Sequence, residues 1–277
     1  MPASAVPPPR RAAALLTALA LAAAAAGCGT VPRPSRGAPV TPPAAGARFD
    51  YQIGGGYPPA KGVRVVSRDR TDRPAPGVYS VCYVNAFQAQ PDAAPWWRRH
   101  HPDLLLRDRH GAPVVDEDWH EVLLDVSTAA RRTALAAVVG RWIDDCAERG
   151  FQAVEPDNLD SFERSRGLLT AAQNAAYARL LVTRAHAAGL AVAQKNTAEL
   201  LPRHTAIGFD FAVAEECGEF DECGDYAAAY ADRVLVVAYT AADFGRTCRR
   251  WGGRLSVVLR DRDVMPAGER GHVFRTC

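Results

Sequence analysis

Short apolar runs recur along the chain from residue 51 onward, at 51–54, 63–67, 78–85, 122–126, 152–155, 191–195, 211–215, 234–239 and 255–259. Most are continuous rather than alternating, the pattern that burial on both faces of a parallel sheet produces. Between several of them lie segments with helical spacing. Residues 129–149 carry Leu135, Val138, Val139, Trp142 and Ile143 toward one side and stop at Gly150, a residue suited to the left-handed position after a helix. Residues 170–188 open on Thr170 as an N-cap, gather Ala176, Leu180, Leu181 and Val182, and stop at Gly189. Strand, helix and strand in alternation is the signature of βαβ units.

The predicted fold class is therefore α/β, as a (β/α)8 TIM barrel. Nine runs are one more than a closed eight-stranded barrel needs, so one additional strand is expected. The other arrangement open to this pattern is a doubly wound sheet. No GxGxxG or P-loop follows the first run, and Gly54-Gly55-Gly56 lacks the spacing.

The N-terminal segment does not share the pattern. Arg10 and Arg11 precede an apolar run over 12–26 that is short for a bilayer span and ends in Ala25-Ala26-Gly27-Cys28. Residues 1–27 read as a signal peptide, and small residues directly before Cys28 resemble a bacterial lipobox. Acylation of Cys28 would make the chain a lipoprotein on the outer side of the cell membrane; ordinary secretion after cleavage near the alanine run is the alternative. Residues 28–47 are rich in Pro, Gly, Ala and Ser and are expected to be a flexible tether. The folded body is expected over 48–277.

Charge narrows the partners. The chain has 33 basic and 31 acidic residues. Removing Arg10 and Arg11 with the leader leaves 31 of each, so no basic field exists to drive nucleic-acid binding. A monomer is expected. Removing Cys28 leaves Cys82, Cys146, Cys217, Cys223, Cys248 and Cys277, an even number in an exported chain. Cys217 with Cys223 would staple one loop and Cys248 with Cys277 would pin the C-terminus. Cys82 and Cys146 are the remainder, with Cys82 a buried thiol as the alternative. No CxxC pair occurs and the seven His are scattered, so neither metal nor cofactor is expected.

The chemistry lies where the strands stop. The apolar runs end at Asn85, Asp125, Asp157, Lys195, Glu215 and Tyr239. In a barrel the C-terminal strand ends meet at one face, and that face carries the reaction. Two carboxylates on separate strands across one cleft suit glycoside hydrolysis, where one protonates the leaving oxygen and the other attacks the anomeric carbon or activates water. Retention or inversion depends on their separation, which stays open here.

These residues also carry a resemblance. Tyr51-Gln52-Ile53-Gly54-Gly55, Cys82-Tyr83-Val84-Asn85, Leu124-Asp125, Glu155-Pro156-Asp157-Asn158 with Asp160, Gln173, Tyr177, Lys195-Asn196 and Glu215-Glu216-Cys217 stand in order over about residues 50–240. Together they resemble glycoside hydrolase family 114, the endo-α-1,4-polygalactosaminidase-like barrels. The resemblance implies hydrolysis of an α-1,4-linked galactosamine polymer within a barrel that has an added strand. It places the catalytic pair at Asp157 and at a Glu of the Glu215-Glu216-Cys217 motif, with Glu215 preferred because it continues its strand. Tyr83, Asn85, Asp125, Glu155, Asn158, Asp160, Lys195, Asn196, Glu216 and Tyr239 are then expected to bind substrate.

A deacetylated galactosamine polymer is cationic near neutral pH, and residues 215–225 hold six acids with no Lys or Arg between them. Such a loop would concentrate a cationic chain; a solvated acidic loop closed by a disulfide is the structural alternative. Tyr83, Trp119 and Tyr239 are the aromatic side chains considered for stacking on sugar faces, with packing the commoner use of a tryptophan like Trp119. Two further functions stay open at this level: a barrel that binds a polysaccharide without cutting it, and a glycosidase of this fold acting on another glycan.

Overall fold

The computed structural model describes residues 40–277. Strands β1 (Phe49–Gln52), β2 (Val65–Asp69) and β3 (Tyr79–Asn85) come first. A small antiparallel sheet follows, made of β4 (Gln88–Ala89), β5 (Val115–Asp116) and β6 (Glu121–Leu123), with helix α1 (Ala94–His100) inside its connection. The chain continues through α2 (Ala129–Arg149), β7 (Ala153–Asp157), α3 (Ala171–Ala187), β8 (Ala191–Lys195) and the single turn α4 (His204–Ile207). It closes with β9 (Phe211–Glu215), α5 (Cys223–Tyr230), β10 (Val234–Ala238), α6 (Ala241–Trp251), β11 (Ser256–Arg260) and β12 (Phe274–Thr276).

The main sheet runs β1-β2-β3-β7-β8-β9-β10-β11-β12. Its first eight strands are parallel, and β1 returns to lie beside β11, so they curl into a barrel. Arg260 of β11 reaches Asp50 of β1 at 3.4 Å across that seam, both side chains fully buried. The added strand is β12, antiparallel to β11.

The run at 122–126 is not a barrel strand. Strand β3 pairs directly with β7, Val81 opposite Ala153 through Asn85 opposite Asp157, which leaves no slot between them. The run instead supplies β6 to the side sheet and buries Val122, Leu123, Leu124 and Val126 in the outer core with Phe87, Leu105 and Leu135. Its apolar character is genuine, but the partner is not the barrel.

The helices follow local signals. Thr128 caps α2 by accepting from the Arg131 N–H, and Gly150 ends it at φ 92°. Thr170 and Gln173 form a capping box on α3. After β1 and β2 no helix forms: those connections contain Gly54-Gly55-Gly56, Pro58-Pro59, Pro74 and Pro76, which disfavour helical backbone.

Residues 40–47, assigned to the tether by composition, lie against the barrel. Val40 and Ala47 pack on the apolar cluster inside it, and the Tyr79 hydroxyl donates to the Thr41 carbonyl at 2.7 Å. The signal segment and Cys28 lie outside the described residues. No helix among the described residues is long and apolar enough to cross a membrane. Three disulfides join Cys82 to Cys146, Cys217 to Cys223 and Cys248 to Cys277, as an oxidising compartment permits.

Side-chain alternation positions the site. In each barrel strand every second residue points inward. The lower inward positions are apolar: Val81, Ala153, Ala191, Ala193, Phe211, Val213, Leu235 and Val237 share one cluster. Two residues further on, the same faces present Tyr83, Glu155 then Asp157, Lys195, Glu215 and Tyr239. The barrel is thus a packed hydrocarbon plug with a polar top.

Candidate active site

Above that plug opens a cleft of about 860 Å³, lined at its floor by Tyr83, Asp157, Lys195, Glu215 and Tyr239. Strands β7, β8 and β9 end on Asp157, Lys195 and Glu215. Each is followed by a residue in the left-handed region: Asn158 at φ 65°, Asn196 at 43° and Glu216 at 56°. A left-handed residue bends the chain sharply off the strand, so the last inward side chain is left facing the opening. Asparagine tolerates that conformation better than most residues; Glu216 adopts it at a cost of about 1 kcal/mol.

Lys195 organises the floor. Its ammonium lies 2.9 Å from Asp157 Oδ1 and 3.4 Å from both Glu215 Oε2 and Glu155 Oε1, and it donates to the Tyr51 hydroxyl at 3.2 Å. The Tyr83 hydroxyl donates to Asp157 Oδ2 at 2.7 Å. Glu215 is held by the Tyr239 hydroxyl at 2.5 Å and by Asn196 Nδ2 at 3.1 Å, while Asn196 Oδ1 accepts from the Glu215 N–H at 2.8 Å. Asn196 thus fixes both the backbone and the side chain of Glu215.

Burial pushes the Asp157 carboxyl up, but the Lys195 charge and hydrogen bond, Tyr83 and the Asn158 N–H outweigh it and hold Asp157 below the usual carboxylate range. Burial works against the Lys195 ammonium too, yet Asp157, Glu215 and Glu155 keep it charged, well above its ordinary value. Desolvation first, then neighbouring carboxylates, raise Tyr51, Tyr83 and Tyr239, so all three act as neutral donors. The arrangement offers one ionised carboxylate, one neighbouring carboxyl and a fixed cation between them.

The expected residues divide into two groups. Tyr83, Asp157, Asn158, Asp160, Lys195, Asn196, Glu215, Glu216 and Tyr239 all line the cleft. Three others do not. Asp125 follows β6 rather than a barrel strand, and it accepts from the Ser127 N–H and pairs with Arg131 at 3.0 Å. Asn85 is buried behind two lining residues, donating to Glu121 at 2.7 Å and accepting from Asn158 at 3.0 Å. Glu155 has no open surface, whereas the Asp157 and Glu215 side chains keep 14% and 23%. It lies beneath the site, out of a ligand's reach.

The acidic loop also differs from its sequence reading. Glu216, Glu219 and Asp221 meet Arg262, Arg246 and Arg250, so arginines from α6 and from the turn after β11 neutralise half of its six acids. The cleft nevertheless keeps nine acidic residues against three basic ones, Arg164, Lys195 and Arg262, and Arg164 is itself paired with Asp116 and Asp160. Tyr239 is no stacking platform, because the Arg262 guanidinium lies 4.8 Å over its ring. Trp119 and Phe220, 54% and 65% exposed, are the free aromatic faces along the cleft.

Sequence reasoning passed over Glu121, Glu163 and Glu199, all in the cleft lining. Burial pushes Glu121 up to about 7, against the hydrogen bond from Asn85. A hydrogen bond with Glu199 raises Glu163 to about 7. Glu121 reaches the cleft only because β6 belongs to the side sheet, and no local pattern announces that.

Known structures share this architecture. The structure of Ega3 from Aspergillus fumigatus in complex with galactosamine is similar over 88% of this chain and all of its own, with a TM-score of 0.70 at 19% identity. The glycoside hydrolase domain of PelA from Pseudomonas aeruginosa is similar over 80% of this chain and 96% of its own, with a TM-score of 0.53 at 14% identity. At these identities the likeness establishes the fold. No curated protein matches the chain by sequence. The family model for glycoside hydrolases matches residues 29–277, and the chain belongs to glycoside-hydrolase family GH114.

Proposed function

We propose that the protein is an endo-acting glycoside hydrolase that cleaves an α-1,4-linked polymer containing galactosamine, with Asp157 as nucleophile and Glu215 as general acid and base. The observation that carries this reading is the single Lys195 ammonium in contact with both carboxylates at the floor of an acidic cleft. The excess of acids suits an amino sugar that carries positive charge, and a solved neighbour of the same fold was captured with galactosamine. Exposed Trp119 and Phe220 give apolar faces against which further sugar units can rest.

In the first step Asp157 attacks the anomeric carbon, the glycosidic C–O bond breaks, and the proton of Glu215 passes to the leaving oxygen. In the second, water gives a proton to Glu215 and its hydroxyl to the anomeric carbon, releasing the Asp157 carboxylate. A nucleophilic Asp157 implies retention, and the close approach of one oxygen from each carboxyl to the same Lys195 nitrogen, 2.9 and 3.4 Å away, suits the short separation of a retaining pair.

The test is mass spectrometry of products from deacetylated, acetylated and neutral α-1,4-linked oligomers. Cleavage within the deacetylated or mixed chains is expected, with Asp157→Asn and Glu215→Gln each reducing it at least about 100-fold in protein that circular dichroism shows to be folded. Full activity in either variant removes that residue from the mechanism, and cleavage of the neutral chain alone overturns the substrate. The same reading places acyl chains on Cys28, each buried methylene contributing about 0.8 kcal/mol of membrane affinity. Release of Cys28→Ala protein from the membrane fraction is the expected result.

A further inference from the structure

Beneath the two carboxylates lies a third that the reaction above does not use. Glu155 sits two residues before Asp157 on β7, inside the barrel and without open surface. The groups facing it are Tyr51 of β1, Ser67 of β2, Tyr83 of β3, Asp157 of its own strand, Lys195 of β8 and Glu215 of β9. Tyr51 donates to its Oε1 at 2.8 Å and Ser67 to its Oε2 at 2.7 Å, while Lys195 stands 3.4 Å away. Lys195 is the only cation in this cluster. With all three carboxylates ionised, two uncompensated negative charges would be held out of water, which is strongly unfavourable. Glu215 must keep one proton in order to deliver it to the leaving oxygen. Neutrality then calls for a second proton, and Glu155 is the carboxyl with the least access to solvent. Burial pushes it up to about 7, against the downward pull of Lys195.

Turnover moves one negative charge. Before cleavage Asp157 is ionised and Glu215 protonated; afterwards Asp157 is esterified and Glu215 ionised. Lys195 is in reach of both. Resting on the catalytic pair proposed above, we infer that Glu155 is a positioning residue that works in its protonated form: uncharged, it leaves the Lys195 ammonium free to follow the negative charge from Asp157 to Glu215. When ionised, Glu155 competes for that ammonium and leaves a second negative charge under the sugar. The cluster is neutral in both halves of the cycle only while Glu155 carries its proton. The Ser67 and Tyr51 hydroxyls favour the anion by donating to it, but neither outweighs burial, and each can rotate to accept from the acid so that the protonated form keeps a partner.

The experiment measures kcat/KM against pH from 5 to 9 on a deacetylated galactosamine oligomer for native protein, Glu155→Gln and Ser67→Ala, with Tm recorded for each. Glutamine cannot ionise, so the alkaline limb of the profile moves to higher pH. The ratio of kcat/KM at pH 8 to that at pH 6 is expected to rise at least about fivefold over native. Titration of the substrate amine affects every variant alike and cancels in this comparison. Ser67→Ala removes a donor that favours the anion and moves the limb the same way by less. A Glu155→Gln profile that superimposes on native overturns the inference, and so does loss of activity at every pH with Tm intact, which would mean that the charge is required. Should Glu155→Gln not fold, Ser67→Ala and carbon-13 NMR of the native Glu155 carboxyl decide: titration near 7 supports the inference, and titration below about 5, as for an ordinary glutamate, overturns it. Native protein that cleaves no galactosamine polymer brings down the proposed function first, a result visible before any Glu155 variant is made.

Discussion

Replacing Lys195 by methionine removes the cation and keeps most of the side-chain volume, so it isolates what the ammonium does for the fold. At 2.9 Å and an effective dielectric near 20, its attraction for Asp157 is on the order of 5 kcal/mol. Deleting one partner of a buried pair commonly costs about 3–5 kcal/mol. For a chain of this size, 1 kcal/mol corresponds to about 2–4 °C, so a fall in Tm on the order of 10 °C is expected at pH 7.5.

The informative quantity is how that fall changes with pH. In the native protein Asp157 is held below its unfolded value. Its contribution to stability is therefore complete above about pH 4 and lost only as pH drops through the folded value. Without Lys195 the sign reverses. Burial alone then sets Asp157, its folded value rises above about 4, and the folded state takes up a proton that the unfolded state does not. Stability then falls as pH rises, by about 1.4 kcal/mol per pH unit for each carboxyl kept protonated. Between pH 5 and 7.5 that amounts to at most about 3 kcal/mol for one carboxyl, so the penalty at pH 5 should be clearly smaller than that at pH 7.5. Calorimetry of both proteins at the two pH values measures it without any substrate. An equal Tm difference at both would refute the assignment of Lys195 as the counterion of Asp157.

Other outcomes follow from particular contacts. Asn196→Gly keeps the backbone freedom that φ 43° demands but loses both bonds to Glu215, so kcat should fall with only a modest drop in Tm; Asn196→Ala adds about 1 kcal/mol of backbone strain, and equal melting of the two would contradict this. Replacing Cys217 and Cys223 by serine opens a loop with a sequence separation of 6, and chemical denaturation should read a loss of about 2 kcal/mol. Asp125→Ala should lower stability by about 1–2 kcal/mol through the Ser127 and Arg131 contacts while KM stays native, and a raised KM would return Asp125 to the binding surface.

The barrel was legible because its eight parallel strands are buried on both faces and most of them read as continuous apolar runs. The same signal misplaced the run at 122–126. Hydrophobicity reports that a segment is covered, not what covers it, and Leu123 is as fully buried under the side sheet as Val154 is in the barrel. The added strand β12 escaped notice for the opposite reason. It is short, only partly buried, and held by pairing with β11 at the sheet edge, so it carries no apolar pattern.

The site was legible to the extent that strand alternation controls it. Asp157, Lys195, Glu215 and Tyr239 each stand two or four positions beyond an inward apolar residue of the same strand, and a sequence reader who marks where such a run turns polar finds them. That rule also selected Glu155, which is inward but one layer lower, and depth along the barrel axis is invisible without the registers of the neighbouring strands. The acidic loop shows the complementary limit. Its charge was read within one segment, whereas the arginines that neutralise half of it come from residues 246–262. Electrostatic sign at a cleft is a sum over elements distant in sequence. Here that sum stays negative, nine acidic residues against three basic ones, because acids enter the cleft from several segments besides the loop, so the case for a cationic substrate rests on the assembled cleft rather than on the loop that first suggested it.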